Sequence, residues 1–250
     1  MRPTGYVFGL LITTLAWGQS DPQADLIVRE MTKLMSPAAS RATMTQTIQT
    51  SSGKTRTMEF EMFSADSGKS ILMRYHKPTS IKGQTFLMLN DANDIWTYFP
   101  RTRRVRKLAS SSKNQKVQGS DFNFSDFSSG DTWTKDYTST VIGEEKLRGD
   151  LCWKLEARET PSNDSDYPRV IYWVRQSDYS PLEMDNYNRD NIHEKTLLFE
   201  DIKEIEGIPT AMTMIMKNLP ENSVTVMKVQ SITYQWIPPG DFFSERNLSK

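Results

Sequence analysis

Between residues 43 and 236 the apolar pattern returns repeatedly to a period of two, in short, evenly spaced runs. Met44, Gln46 and Ile48 alternate with Thr43, Thr45 and Thr47. Met58, Phe60 and Met62 alternate with Glu59 and Glu61. The same spacing recurs at Ile71-Met73-Tyr75, Trp96-Tyr98, Leu151-Trp153-Leu155-Ala157, Val170-Tyr172-Val174, Leu182-Met184 and Leu197-Phe199. It continues at Met212-Met214-Met216, Val224-Val226-Val229 and Ile232-Tyr234-Trp236. Phe86 to Leu89 reads as a short buried run, and Val105 and Leu108 as a further extension. Alternation of this kind places every second side chain on one face of a strand. Turn signals separate the runs, among them Ser51-Ser52-Gly53, Asp66-Ser67-Gly68, Gly143, Arg148-Gly149-Asp150 and Glu206-Gly207. The spacing predicts a meandering antiparallel sheet. Roughly eleven to thirteen strands are too many for a flat open sheet, so the sheet must curl.

One segment departs from this rhythm. Asp21-Pro22 reads as an N-cap with proline at the first helical position. Ile27, Met31, Leu34 and Met35 then form a single apolar stripe, and Pro37 ends it. A second short helix is expected near residues 120–129. These two helices cannot cover both faces of a long sheet. The expected class is mainly β (α+β): a curved antiparallel sheet whose apolar concave face is partly plugged by helices.

Arg2 and the apolar run from Tyr6 to Trp17 have the size of a secretory signal. Ala16-Trp17-Gly18 places small residues where a signal peptidase reads, so residues 1–18 are expected to be removed and residues 19–250 to form one domain. The run is shorter than the ~20 apolar residues of a membrane span. An exported chain of this kind belongs in the periplasm of a Gram-negative cell. No cysteine follows the run, so no lipid anchor is expected there. Lys+Arg and Asp+Glu are both 31, which argues against bulk electrostatic binding of nucleic acid. One cysteine excludes an internal disulfide or a cysteine-cluster metal site, and Cys152 reads as a packed small hydrophobe.

Few motifs suggest catalysis. Gly53-Lys54-Thr55 and Gly68-Lys69-Ser70 end like a phosphate-binding loop, but Ile48 and Phe63 stand where its first glycine belongs. Ser110 and Lys113 share a Ser-x-x-Lys spacing without the rest of that signature. The carboxylates at Asp121/Asp126 and Glu144/Glu145 show no acid–base context, and His76 and His193 read as surface residues. No enzyme, cofactor or metal site is expected. Two features are unusual: the basic run Arg101, Arg103, Arg104, Arg106 and Lys107, and thirteen methionines, many at alternate strand positions. Methionine surfaces repack around variable apolar guests.

Ile95-Trp96-Thr97-Tyr98-Phe99-Pro100 followed by Arg103-Arg104-Val105-Arg106 resembles a W-x-Y-x-P-x-x-R-R-x-R signature. Gly119-Ser120-Asp121-Phe122-Asn123-Phe124-Ser125-Asp126 resembles a G-S-D-F-x-[YF]-x-D block. Both belong to the outer membrane lipoprotein-sorting proteins, which are LolA-like in fold. Tyr172-Trp173-Val174, Tyr179-Ser180-Pro181-Leu182 and the ending from Ile232 to Ser244 fit the same family. The resemblance implies an incomplete β-barrel whose apolar concavity is covered by helices. It implies a periplasmic carrier that holds acyl chains of a lipoprotein or phospholipid and passes them from an inner-membrane exporter or release complex to an outer-membrane acceptor. The alternative is a non-transporting module that senses or binds lipoprotein or lipid.

The alternation then nominates a cavity wall of Met44, Ile48, Met58, Phe60, Met62, Trp96, Tyr98, Trp153, Leu155, Tyr172, Met212 and Met214. Arg101, Arg103, Arg104 and Arg106 are expected to meet headgroups or a partner. The first helix and residues 119–131 are expected to form a movable cover. Acyl chains need such shelter, because each CH₂ left in water costs ~0.8 kcal/mol.

Overall fold

The computed structural model describes residues 21–127 and 130–249. The expected signal segment lies outside them. Helix α1 spans Pro22–Met35, as the cap and stripe predict. The Asp21 carboxylate accepts the Gln23 N–H at 2.9 Å, and Ser36 N–H closes the last turn on the Thr32 carbonyl at 3.0 Å. Its buried face is Ala24, Ile27, Val28 and Met31.

Thirteen strands follow. The first meander is β1 (Ala39–Gln49), β2 (Thr55–Ala65), β3 (Ser70–Lys77), β4 (Thr85–Leu89), β5 (Asp94–Phe99) and β6 (Arg104–Lys107). The second is β7 (Tyr137–Leu147), β8 (Asp150–Glu159), β9 (Arg169–Arg175), β10 (Pro181–Tyr187), β11 (His193–Ile205), β12 (Ile208–Asn218) and β13 (Ser223–Thr233). All are antiparallel in one open sheet ordered β6-β5-β4-β3-β2-β1-β13-β12-β11-β10-β9-β8-β7. The two meanders join where β1 pairs with β13, with Gln46 opposite Met227 and Ile48 opposite Thr225.

This order constrains the connection between the meanders. β6 and β7 are the two opposite edges, yet they are consecutive in the chain. Residues 108–136 must therefore travel from edge to edge, and they do so across the inner face. They carry short 3₁₀ turns at Ser110–Asn114, Val117–Gly119 and Phe124–Phe127, then helix α2 at Gly130–Asp136. The helix expected at 120–129 thus forms a few residues later. The reason is local: the Asn123 N–H bonds the Asp126 carboxylate at 2.7 Å, and the Ser120 hydroxyl bonds the Phe122 backbone at 3.2 Å. Such side-chain-to-backbone bonds compete with helix formation.

Gly143, which reads as a turn, lies inside β7 at a register shift opposite β8. A glycine inside a strand often marks a bulge. Trp236 lies beyond the end of β13 rather than inside it.

The sheet packs on both faces. Inside, two apolar clusters meet. One joins Met44, Met58, Phe60, Met73, Tyr75, Phe86 and Ile95 of the first meander to Val117, Phe122 and Phe124 of the crossing segment. The other packs α1 on Leu155, Ala157, Val170, Tyr172 and Val174 of the second meander. Leu197 and Met214 touch both. Outside, the C-terminal segment returns over β2 to β5. There Trp236, Phe242, Phe243 and Leu248 pack on Phe63, Leu72, Leu87, Trp96 and Tyr98. The Arg74 guanidinium donates to the Asn247 carbonyl at 3.1 Å. Cys152 is buried beneath Ile171, Trp173 and Leu182 in a second outer cluster, and burial pushes its thiol pKa up.

Candidate functional site

The two inner clusters do not fill the concavity. A cavity of about 680 Å³ lies between them. That is within the usual ~300–1,000 Å³ of small-ligand sites. Met44 and Met62 line it from the first meander, and Met214, Met216 and Met227 from the strands at the join. Val170, Met184, Leu197 and Phe199 continue the wall. Met31, Leu34 and Met35 of α1, Phe122 and Phe127 of the crossing segment, and Trp133 of α2 close it over. Eight of the thirteen methionines face this one space. Unbranched, polarisable thioether chains let a wall conform to guests of different shape.

Polar groups border the cavity where α2, the crossing segment and the β8–β9 loop meet it. They include Asp126, Asp136, Asp164, Asp166, Lys113 and Lys135. Asp126 is open to water on one side, while the protein packed around its carboxyl desolvates it and holds it above the ordinary range. Lys195 and the Asn123 N–H oppose that shift, and Asp166 adds to it. Burial also raises the Asp136 carboxyl. The phenol of Tyr167 is raised by burial, with the negative charges of Asp126, Glu194 and Asp166 adding.

The crossing segment is fastened by a buried carboxylate. Asp121 accepts the Ser223 hydroxyl at 2.6 Å and the Thr225 hydroxyl at 2.7 Å, both from β13. Its backbone carbonyl accepts the Lys195 ammonium at 2.8 Å. The preceding glycine has a physical reason. Gly119 has φ +70°, and a Cβ there would lie 3.4 Å from the Arg56 guanidinium, which itself donates to the Gln118 carbonyl. The Gly-Ser-Asp-Phe block is therefore the fastening of the cover, with Phe122 projecting from it into the cavity wall.

Of the residues nominated from alternation, Met44, Met62 and Met214 line the cavity. Ile48, Met58 and Phe60 are buried beside it, beneath the crossing segment. Leu155 and Tyr172 lie beneath α1, with Trp153 at the margin against the Tyr179 ring. Trp96 and Tyr98 stand on the outer face, under the C-terminal segment. Ile95 is the β5 residue that faces inward. Met212 is half-buried and does not line the cavity. Arg101, Arg103, Arg104 and Arg106 are exposed in the β5–β6 turn and on edge strand β6. Arg106 rests 5.7 Å from the Phe99 ring centroid, and Lys107 lies 4.8 Å from that of Trp96 while pairing with Asp94 at 2.6 Å.

Alternation missed several wall residues. Met31 and Met35 already show in the helical stripe, and Met216 lies in the same strand stripe as Met214. Met227 faces inward in step with Ser223 and Thr225, on the face opposite Val224 and Val226, so following the valines points to the wrong face. The ceiling residues Phe122, Phe127 and Trp133 belong to an aperiodic segment that carries no such signal.

Together, the open thirteen-stranded sheet, the crossing cover and the sheltered apolar space define a β half-barrel with an internal cavity. Solved structures share this architecture. A putative outer membrane lipoprotein-sorting protein domain from Vibrio parahaemolyticus is 25% identical with a TM-score of 0.81, covering 91% of this chain and 99% of its own. A DUF1329 family protein from Desulfovibrio piger is 26% identical with a TM-score of 0.79, covering 90% and 96%. A LolA superfamily protein from Nitrosomonas europaea shares the fold at 20% identity, with a TM-score of 0.74 over 89% and 98% of the two chains. Residues 67–250 match a family model described as "-like: Uncharacterized protein". No curated protein matches the sequence. The chain belongs to the family whose model spans residues 67–250, and its fold is LolA-like.

Among the described residues, no helix is long and apolar enough to cross a membrane, and no group of three or more His, Cys, Asp or Glu is placed to hold a metal ion.

Proposed function

We propose that this protein is a periplasmic carrier that shelters the acyl chains of a lipoprotein or lipid in the methionine-lined cavity and moves them towards the outer membrane. The observation that carries this reading is a cavity of about 680 Å³, walled by methionines on its sheet side and polar at its border, left between two apolar clusters. A domain of this size has side chains enough to fill such a gap, since protein interiors pack close to crystal density. Burying a chain of about sixteen carbons at ~0.8 kcal/mol per CH₂ would offset the cost of leaving a membrane by on the order of 10 kcal/mol. Methionines tolerate different chains, which suits a carrier more than an enzyme with one substrate. The exposed arginines of the β5–β6 hairpin are placed to meet anionic headgroups or an acidic partner during transfer. The single domain 19–250, freed of residues 1–18, is the transported form in this scheme.

Native mass spectrometry of protein purified from its own periplasm tests the proposal. Co-purified lipid or acylated protein, displaced by a fluorescent fatty probe, is the expected result. A protein that carries no amphiphile and takes up no probe would not be a carrier. Cargo that binds but is never passed to acceptor membranes would leave a sensing module instead.

A further inference from the structure

The wall that β1 and β2 give the cavity ends in a pair of serines. Ser40 and Ser64 stand directly opposite each other across these two strands. Both face inward, Ser40 in step with Ala42 and Met44, and Ser64 in step with Met62 and Phe60. Both line the cavity, as do Met44 and Met62 beside them. They are only 5% and 8% exposed, and among the described residues neither hydroxyl has a hydrogen-bond partner.

The neighbouring hydroxyls behave differently. Thr47 and Thr57, also directly opposite on β1 and β2, bond each other at 3.0 Å on the outer face. Ser223 and Thr225, buried on the inner face of β13, are both held by the Asp121 carboxylate. Enclosed polar groups are normally paired, because one left unpaired forfeits its hydration without return. A wall meant for hydrocarbon alone would carry alanine or valine at these two places. A serine hydroxyl can donate one hydrogen bond. An acyl ester or amide offers a carbonyl acceptor at the root of its hydrocarbon chain, which a plain alkyl chain lacks.

We infer that Ser40 and Ser64 together seat the carbonyl of an acyl ester or amide, with the hydrocarbon chain running from them along Met62 and Met44 into the interior. This rests on the acyl-binding reading above and adds that the cavity tells an acyl chain from an alkyl chain. A site whose enclosed donors go unmet by a guest discriminates against that guest.

The test uses two neutral probes that differ by one carbonyl: monolauroylglycerol, an ester, and the matching dodecylglycerol ether. Each is used below its self-association concentration to displace a fluorescent fatty probe from the purified protein. The ester is expected to bind about tenfold more tightly than the ether. In a Ser40→Ala/Ser64→Ala variant the gap should shrink to about twofold, through weaker ester binding with ether binding unchanged. The thermal midpoint of that variant should stay within about 2 °C of the native protein, because no internal bond is lost. Equal binding of ester and ether by the native protein overturns the inference and leaves acyl binding standing. A gap that survives the double substitution overturns the assignment to these serines. A midpoint lowered well beyond that range means that the hydroxyls serve the fold, and overturns the assignment too. Failure of both probes to displace the fatty probe from the native protein overturns the acyl-binding reading and this one with it.

Discussion

Helix α1 and the crossing segment cover neighbouring halves of the same inner face, yet different forces hold them. α1 buries only Ala24, Ile27, Val28 and Met31 and meets the sheet through apolar contacts. The crossing segment buries Val117, Phe122 and Phe124, but it is also fastened by Asp121 to two hydroxyls of β13 and to Lys195 of β11. Apolar contact is non-directional and scales with area, so it tolerates sliding. A buried carboxylate with satisfied bonds has one good geometry and costs heavily when a partner is lost. The first cover is therefore expected to yield gradually, and the second to stay fastened or to release as a unit. Of the two expected lids, α1, held by apolar contact alone, is the better candidate for the element that slides, and residues 117–127 for the one that stays fastened.

Substitutions that strike one anchor and spare the other would break this contrast. The largest effect belongs to α1: Ile27→Ala should cost about 2–5 kcal/mol of global stability, read as a lower denaturant midpoint with an unchanged slope. Asp121→Ala leaves the Ser223 and Thr225 hydroxyls without their acceptor and should cost about 1–3 kcal/mol. Its signature is spatial: amides of residues 117–124 should exchange faster, while those of α1 keep their protection. If both covers loosen together, the contrast is wrong. Replacing Met62 or Met214 by Leu should cost less than about 1.5 kcal/mol, because volume is nearly conserved. The same changes should narrow the range of chain lengths that displace a bound fatty probe.

The smallest effect is a slope with pH. Burial raises the Asp126 carboxyl, against Lys195 and the Asn123 N–H and with Asp166. A raised native value means that, between the unfolded and folded pKa, the native state holds a proton the unfolded chain has lost. Stability then falls as pH rises through that window. Protection of residues 117–124, corrected for intrinsic exchange, should therefore grow as pH drops into it, and Asp126→Asn should flatten the trend. α1 buries no titratable side chain and should show no such slope.

The same division explains what could be read before the fold was seen. α1 and most strands were legible, because a cap, a stripe of period 3.6 or an alternation of period two is written in residues that act locally. β7 was not, since an edge strand reading Ser139 to Lys146 is mostly exposed and has little apolar rhythm, and Gly143 marks a bulge there rather than a turn. On β5 alternation was visible but its direction was not. Trp96 and Tyr98 look like lining residues, yet the C-terminal aromatic cluster draws them to the outer face. Both faces of that strand are covered, so hydrophobicity alone does not tell inside from outside. The ceiling of the cavity was the least legible part. Phe122, Phe127 and Trp133 owe their positions to a path forced by strand order, which no local pattern encodes.

That strand order also governs how the molecule must come together. β1 lies next to β13, so the seam at the middle of the sheet joins residues nearly two hundred positions apart in the chain. Contacts so distant in sequence form late and slowly. While the chain emerges, the first meander keeps an unpaired strand edge beside Met44 and Ile48, a surface open to mispairing until the last strand arrives. A protein built this way gains from staying open until its last strand is available and then closing the seam in one step.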